Sequence, residues 1–118
     1  MLIVEADARV RQALADLVGS TDGFAVLAAC ESADEAENTC RVSHADAALV
    51  SLRASPTDAN IAVITRLAAQ VPVLAVAPFG SLAGRAIAAG AAAFYDQDGD
   101  ADALVALLHE VIDGAGVG

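Results

Sequence analysis

Asp46-Ala-Ala-Leu-Val-Ser51 is the stretch that decides how this chain folds. An acidic residue opens it, four apolar residues follow, and a small hydroxyl side chain closes it. A run that is apolar at successive positions, rather than at alternate ones, reads as a strand covered on both faces. Such a strand belongs inside a parallel sheet with helices above and below it. The carboxyl ends of those strands are where open α/β sheets gather their functional groups. Ser51 is therefore the first candidate site residue.

Working outward, short apolar runs alternate with segments of helical period. Leu2-Ile3-Val4 reads as a first strand. Val10, Leu14, Leu17 and Val18 then fall on one helical face within Ala8–Val18. The cluster Gly19-Ser-Thr-Asp-Gly23 is a turn, and Phe24–Ala28 is expected as a second strand. Ser32 followed by Glu35 is a capping-box pattern that starts a helix reaching about Val42. After the Asp46–Leu52 strand, Ala54–Asp58 is a loop, and Ile61, Ile64 and Leu67 mark a third helix. Pro72–Ala77 is a fourth strand. Ser81–Ala89 is a short helix stopped by Gly90, a natural C-cap. Ala92–Tyr95 is a fifth strand, and Leu104, Leu107, Leu108, Val111 and Ile112 define a last helix. Five β–α units in alternation predict an α/β fold, a doubly wound five-stranded parallel sheet of flavodoxin-like order 2-1-3-4-5. That order brings Glu5, Asp7 and Ser51 to one crevice.

Length and composition bound the rest. A chain of 118 residues is expected to form one domain over residues 1–113, with 114–118 a Gly-rich tail or the start of a linker. Hydrophobic residues make up 57% but aromatics only 3%, so the core has to be built from Ala, Val, Leu and Ile. The net charge is −10 and the six basic residues are all Arg. No basic stripe is present, which argues against direct nucleic-acid binding by this segment. The apolar runs fall well short of the ~20 residues of a membrane span. Cys30 and Cys40 lack zinc-site spacing and read as reduced thiols, so a cytoplasmic location is expected.

Four pieces in order, Leu2-Ile-Val-Glu-Ala-Asp7, Asp46–Arg53, Pro72-Val-Leu-Ala-Val-Ala77 and Gly90-Ala-Ala-Ala-Phe-Tyr95, resemble the response-regulator receiver family of the CheY-like superfamily over essentially the whole chain. The resemblance implies a phosphorylation switch built from five parts: two acidic residues after strand one that hold Mg²⁺, an Asp phosphoacceptor ending strand three, a Thr or Ser ending strand four, a Lys after strand five, and an aromatic on strand five. Glu5 matches the first acidic position, but Ala6 stands at the second. Ser51 replaces the phosphoacceptor, Ala77 replaces the hydroxyl residue, and Gln97 replaces the Lys. Phe94 keeps the switch aromatic. A serine hydroxyl neither binds Mg²⁺ as a carboxylate does nor forms an acyl phosphate. The expectation is thus a degenerate pseudo-receiver, not an enzyme, with neither a cofactor nor a metal.

Other motifs carry less. Asp7 is expected to cap the first helix rather than to replace the missing metal ligand. The alternating acids Asp96, Asp98, Asp100 and Asp102 lack the Gly and Glu of a calcium loop, since Ala101 and Leu107 stand there. Asp98 or Asp100 reads instead as a helix cap. Gly80–Arg85 has neither the length nor the Lys of a phosphate loop, though Arg53 and Arg85 could hold an anion. His44 and His109 read as surface residues remote from Ser51. What remains is surface. The resemblance implies signalling through helix four, strand five and helix five, where Leu82, Ile87, Val105 and His109 are candidate contacts for a homodimer or partner protein. The expected role is a phosphorylation-independent regulatory and interaction module in two-component signal transduction, the N-terminal part of a transcriptional regulator. The alternative is a small-molecule sensor using the vacated phosphorylation pocket.

Overall fold

A computed structural model describes residues 1–5, 7–21, 24–31, 35–39, 45–52, 57–77, 83–96 and 101–117. Its elements run β1 (Leu2–Val4), α1 (Ala8–Gly19), β2 (Ala28–Cys30), a helical segment α2 (35–39), β3 (Ala48–Ser51), α3 (Thr57–Ala68), β4 (Val73–Ala77), α4 (Ala83–Ala88), β5 (Ala93–Asp96) and α5 (Ala101–Val117). The sheet is parallel throughout, in the order β2-β1-β3-β4-β5. This is the doubly wound, flavodoxin-like arrangement that the alternation of elements predicts. Among the described residues no helix is long and apolar enough to cross a membrane. Cys40, His44, Arg53, Asp98 and Asp100 lie outside the described residues. The last helix continues through Gly114 and Gly116 to Val117, over residues whose composition suggests a tail.

Both faces of the sheet are covered. Leu2, Val4, Ala48, Val50, Val73, Ala75 and Ala77 pack with Ala36 of α2, Ile64 and Leu67 of α3 and Ala86 of α4. Ile3, Leu49, Leu74, Val76 and Tyr95 pack on the other side with Leu14 and Val18 of α1 and Leu104, Leu108 and Val111 of α5. Leu2, Ile3, Leu49 and Leu74 are fully buried, each contributing roughly 1.5–3 kcal/mol through apolar surface removed from water. Ala36 and Ala86 are fully buried as well. A methyl group at the point of contact is how an aromatic-poor chain fills its core at native density.

The second strand begins later than Phe24–Ala28 predicts, at Ala28. The cause is a break in the period of two. Phe24 and Val26 pack with the α1/α5 side, whereas Ala28 and Cys30 pack with the opposite side. An uninterrupted strand sends residues of one parity to one face, so these four cannot share one. The chain changes face at Leu27, which is left 45% exposed. Backbone pairing nonetheless extends below the break, with the Leu27 N–H donating to the Met1 carbonyl at 2.8 Å and the Met1 amine donating to the Ala25 carbonyl at 2.7 Å.

α4 is held at its end by α3. The Thr65 hydroxyl donates to the Ala89 carbonyl at 2.8 Å, and Gly90 follows with φ of 118°. A Cβ on Gly90 would stand 3.1 Å from the Ala68 Cβ, so both backbone geometry and space require glycine there. Replacing Gly90 by Ala is therefore expected to cost about 1–3 kcal/mol. Gly84, on the exposed side of α4, has open space around its Cα. Gly84→Ala is expected to stabilise by about 0.5–1 kcal/mol through helix propensity. Urea unfolding of the two variants checks both signs.

Candidate functional site

The carboxyl ends of β1 and β3 bring two buried polar side chains together. Val4 pairs with Val50, so Glu5 and Ser51 are the next residues on adjacent parallel strands. Ile3 and Leu49 face α1 and α5, and the period of two carries Glu5 and Ser51 to that same face. They are the buried polar residues among those described, with 2% and 5% exposure. The backbone around them is secured: the Glu5 N–H donates to the Cys30 carbonyl at 2.9 Å, and the Leu52 N–H to the Val76 carbonyl at 2.7 Å. The Ser51 Oγ is solvent-excluded and has no hydrogen-bond partner among the described residues.

Asp7 serves the helix. Its Oδ1 accepts from the Arg9 N–H at 2.9 Å and the Val10 N–H at 3.1 Å, the geometry of an N-cap. Arg11, one turn on, donates from Nη1 to the Glu5 carbonyl at 2.9 Å and stands 3.8 Å from the Glu31 carboxylate. Sequence reasoning overlooks Arg11. The available signal is a cation placed early in a helix, against the dipole, which calls for a compensating acceptor near the helix start.

Of the residues that the resemblance assigns to Mg²⁺, Glu5 alone retains a carboxylate. Ala6 offers no ligand atom, Asp7 is committed to the cap, and Ser51 brings only a neutral hydroxyl. These residues do not fit Mg²⁺, which is bound through carboxylates and phosphate oxygens. Among the described residues no group of three or more His, Cys, Asp or Glu is placed to hold a metal ion. Ala77 ends β4, next to Asp96 of β5 in register. Its methyl group belongs to the α2–α4 side, across the sheet from Ser51. Phe94 pairs with Ala75 in register and packs, half-buried, on that same side. Ala6, Gln97 and Leu82 lie outside the described residues.

Of the surface candidates, Ile87, Val105 and His109 lie among the described residues. Ile87 of α4 is 50% exposed. His109, by contrast, sets its ring edge-on to Phe24, with centroids 4.9 Å apart and planes at 66°. Phe24 leads toward β2, so His109 occupies the flank of α5 turned toward the start of that strand. Val105, half-buried and one turn earlier, shares that flank by helical period. The helical period that finds the α5 core does not say which flank meets α4.

Cys30 ends β2 and is buried. Burial pushes its thiol above the ordinary range, and the negative charge of Glu35 adds to the rise. A hydrogen bond with Thr39 and the charge of Arg11 oppose it. The folded state therefore holds the proton more tightly than the unfolded chain. The stability this contributes is fully present below the unfolded thiol's pKa of about 8.5 and is lost as pH rises from there toward the folded value. In a Cys40→Ser background, Cys30 should resist iodoacetamide at pH 8 when native and react on unfolding, as read by peptide mass spectrometry.

Two substitutions at the site should move stability in opposite directions. Asp7→Ala removes the cap and is expected to cost about 1 kcal/mol. Ser51→Ala removes a buried hydroxyl that has no partner among the described residues and is expected to stabilise by about 1 kcal/mol or more. Chemical denaturation of the two variants under one set of conditions measures both.

No family model and no curated protein matches the sequence. Solved structures do. The signal receiver domain of a modulated diguanylate cyclase from Desulfovibrio desulfuricans G20 is 22% identical with a TM-score of 0.82, the match covering 98% of this chain and 94% of that one. A LuxR-family two-component response regulator from Aurantimonas sp. SI85-9A1 is 21% identical with a TM-score of 0.85, over 96% of this chain and 84% of that one. NtrX from Brucella abortus is 19% identical with a TM-score of 0.81, over 98% of this chain but 27% of its own. The parallel 2-1-3-4-5 sheet of this chain, with Glu5 and Ser51 at its carboxyl edge, is the fold of response-regulator receiver domains.

Proposed function

We propose that this chain is an atypical receiver domain, a regulatory and protein-interaction module of two-component signalling that works without phosphorylation of its own. The observation that carries this reading is Ser51, a buried neutral hydroxyl at the end of β3, where phosphoryl transfer to a receiver requires a carboxylate nucleophile. Ala77 and Ala6 support it, since neither side chain can contact a phosphoryl group or a metal through a heteroatom. Gln97 adds no positive charge. The domain would act through its surfaces, as a homodimer or with a partner protein, and Ile87 of α4 is the most exposed large apolar side chain among the described residues. The place proposed for it is the cytoplasm, as the N-terminal part of a transcriptional regulator whose other domain supplies the DNA contacts. The match to NtrX, where this fold is a minor share of a longer chain, supports a place within a longer protein.

Incubation with acetyl phosphate and Mg²⁺ should leave both the intact mass and the oligomeric state unchanged. Ser51→Asp alone should also remain unlabelled, because the second acidic position and the Lys position stay empty of function. A base-labile phosphoryl adduct on the unsubstituted chain would overturn the proposal.

The Ser51 hydroxyl, without a hydrogen-bond partner among the described residues, favours a second reading, a sensor of a small molecule bound over the carboxyl ends of β1 and β3. A ligand seated there would raise the unfolding temperature in a metabolite screen, and Ser51→Ala would abolish the shift. A flat screen speaks for the interaction module.

A further inference from the structure

We draw no further inference here: the strongest candidate, the buried Ser51 hydroxyl beside Glu5 at the carboxyl ends of β3 and β1, belongs to the site already described, and nothing in the structure shows what covers it.

Discussion

The constraint on which the rest depends is that the central strands are buried on both faces. β3 and β4 expose no more than 5% of any residue, so every position along them must suit a core. That requirement explains why the strands are apolar without alternation. It also explains why helices must lie on both sides and why connections between strands are crossovers. The polar groups that such strands can carry are confined to their ends. Glu5 and Ser51 sit there because the next position inward, that of Val4 or Val50, would place a carboxylate or hydroxyl among Leu2, Ala48 and Ala75, at several kcal/mol without a partner.

Much of this was legible in the sequence, because burial leaves a periodic record. The runs around Leu49 and Leu74, the helical spacing of Leu14 and Val18, and Gly90 after α4 each have one physical explanation, and the structure carries each of them out. The Asp7 cap was legible for the same reason, since a short acceptor just before a helix has a specific task. β2 was not. An edge strand has less burial to enforce its register, and Phe24 and Val26 show the apolar alternation of a strand while packing on a different face from Ala28 and Cys30. Composition cannot reveal a change of face.

The sequence proposes identities for the candidate site but not its geometry. The residues proposed to stand where a receiver keeps its phosphorylation groups are named through the resemblance alone. That Ser51 and Ala77 turn to opposite sides of the sheet depends on register and parity across strands, which no single strand displays. The roles of Arg11 and Phe24 were hidden for a related reason. Each depends on a partner distant in sequence or presented by the backbone, the Glu5 carbonyl in one case and the His109 ring in the other.

The change of face at Leu27 bears on how the molecule behaves in company. A parallel sheet has two edges, and an edge is a template on which another chain can lay a strand. At the β2 edge the regular strand is three residues long, and the preceding backbone turns its side chains to the other face. A foreign strand docking there would keep register for only a few hydrogen bonds before its own alternation put apolar residues on the wrong side. The irregularity at Leu27 thus shortens the template that the β2 edge offers to another strand.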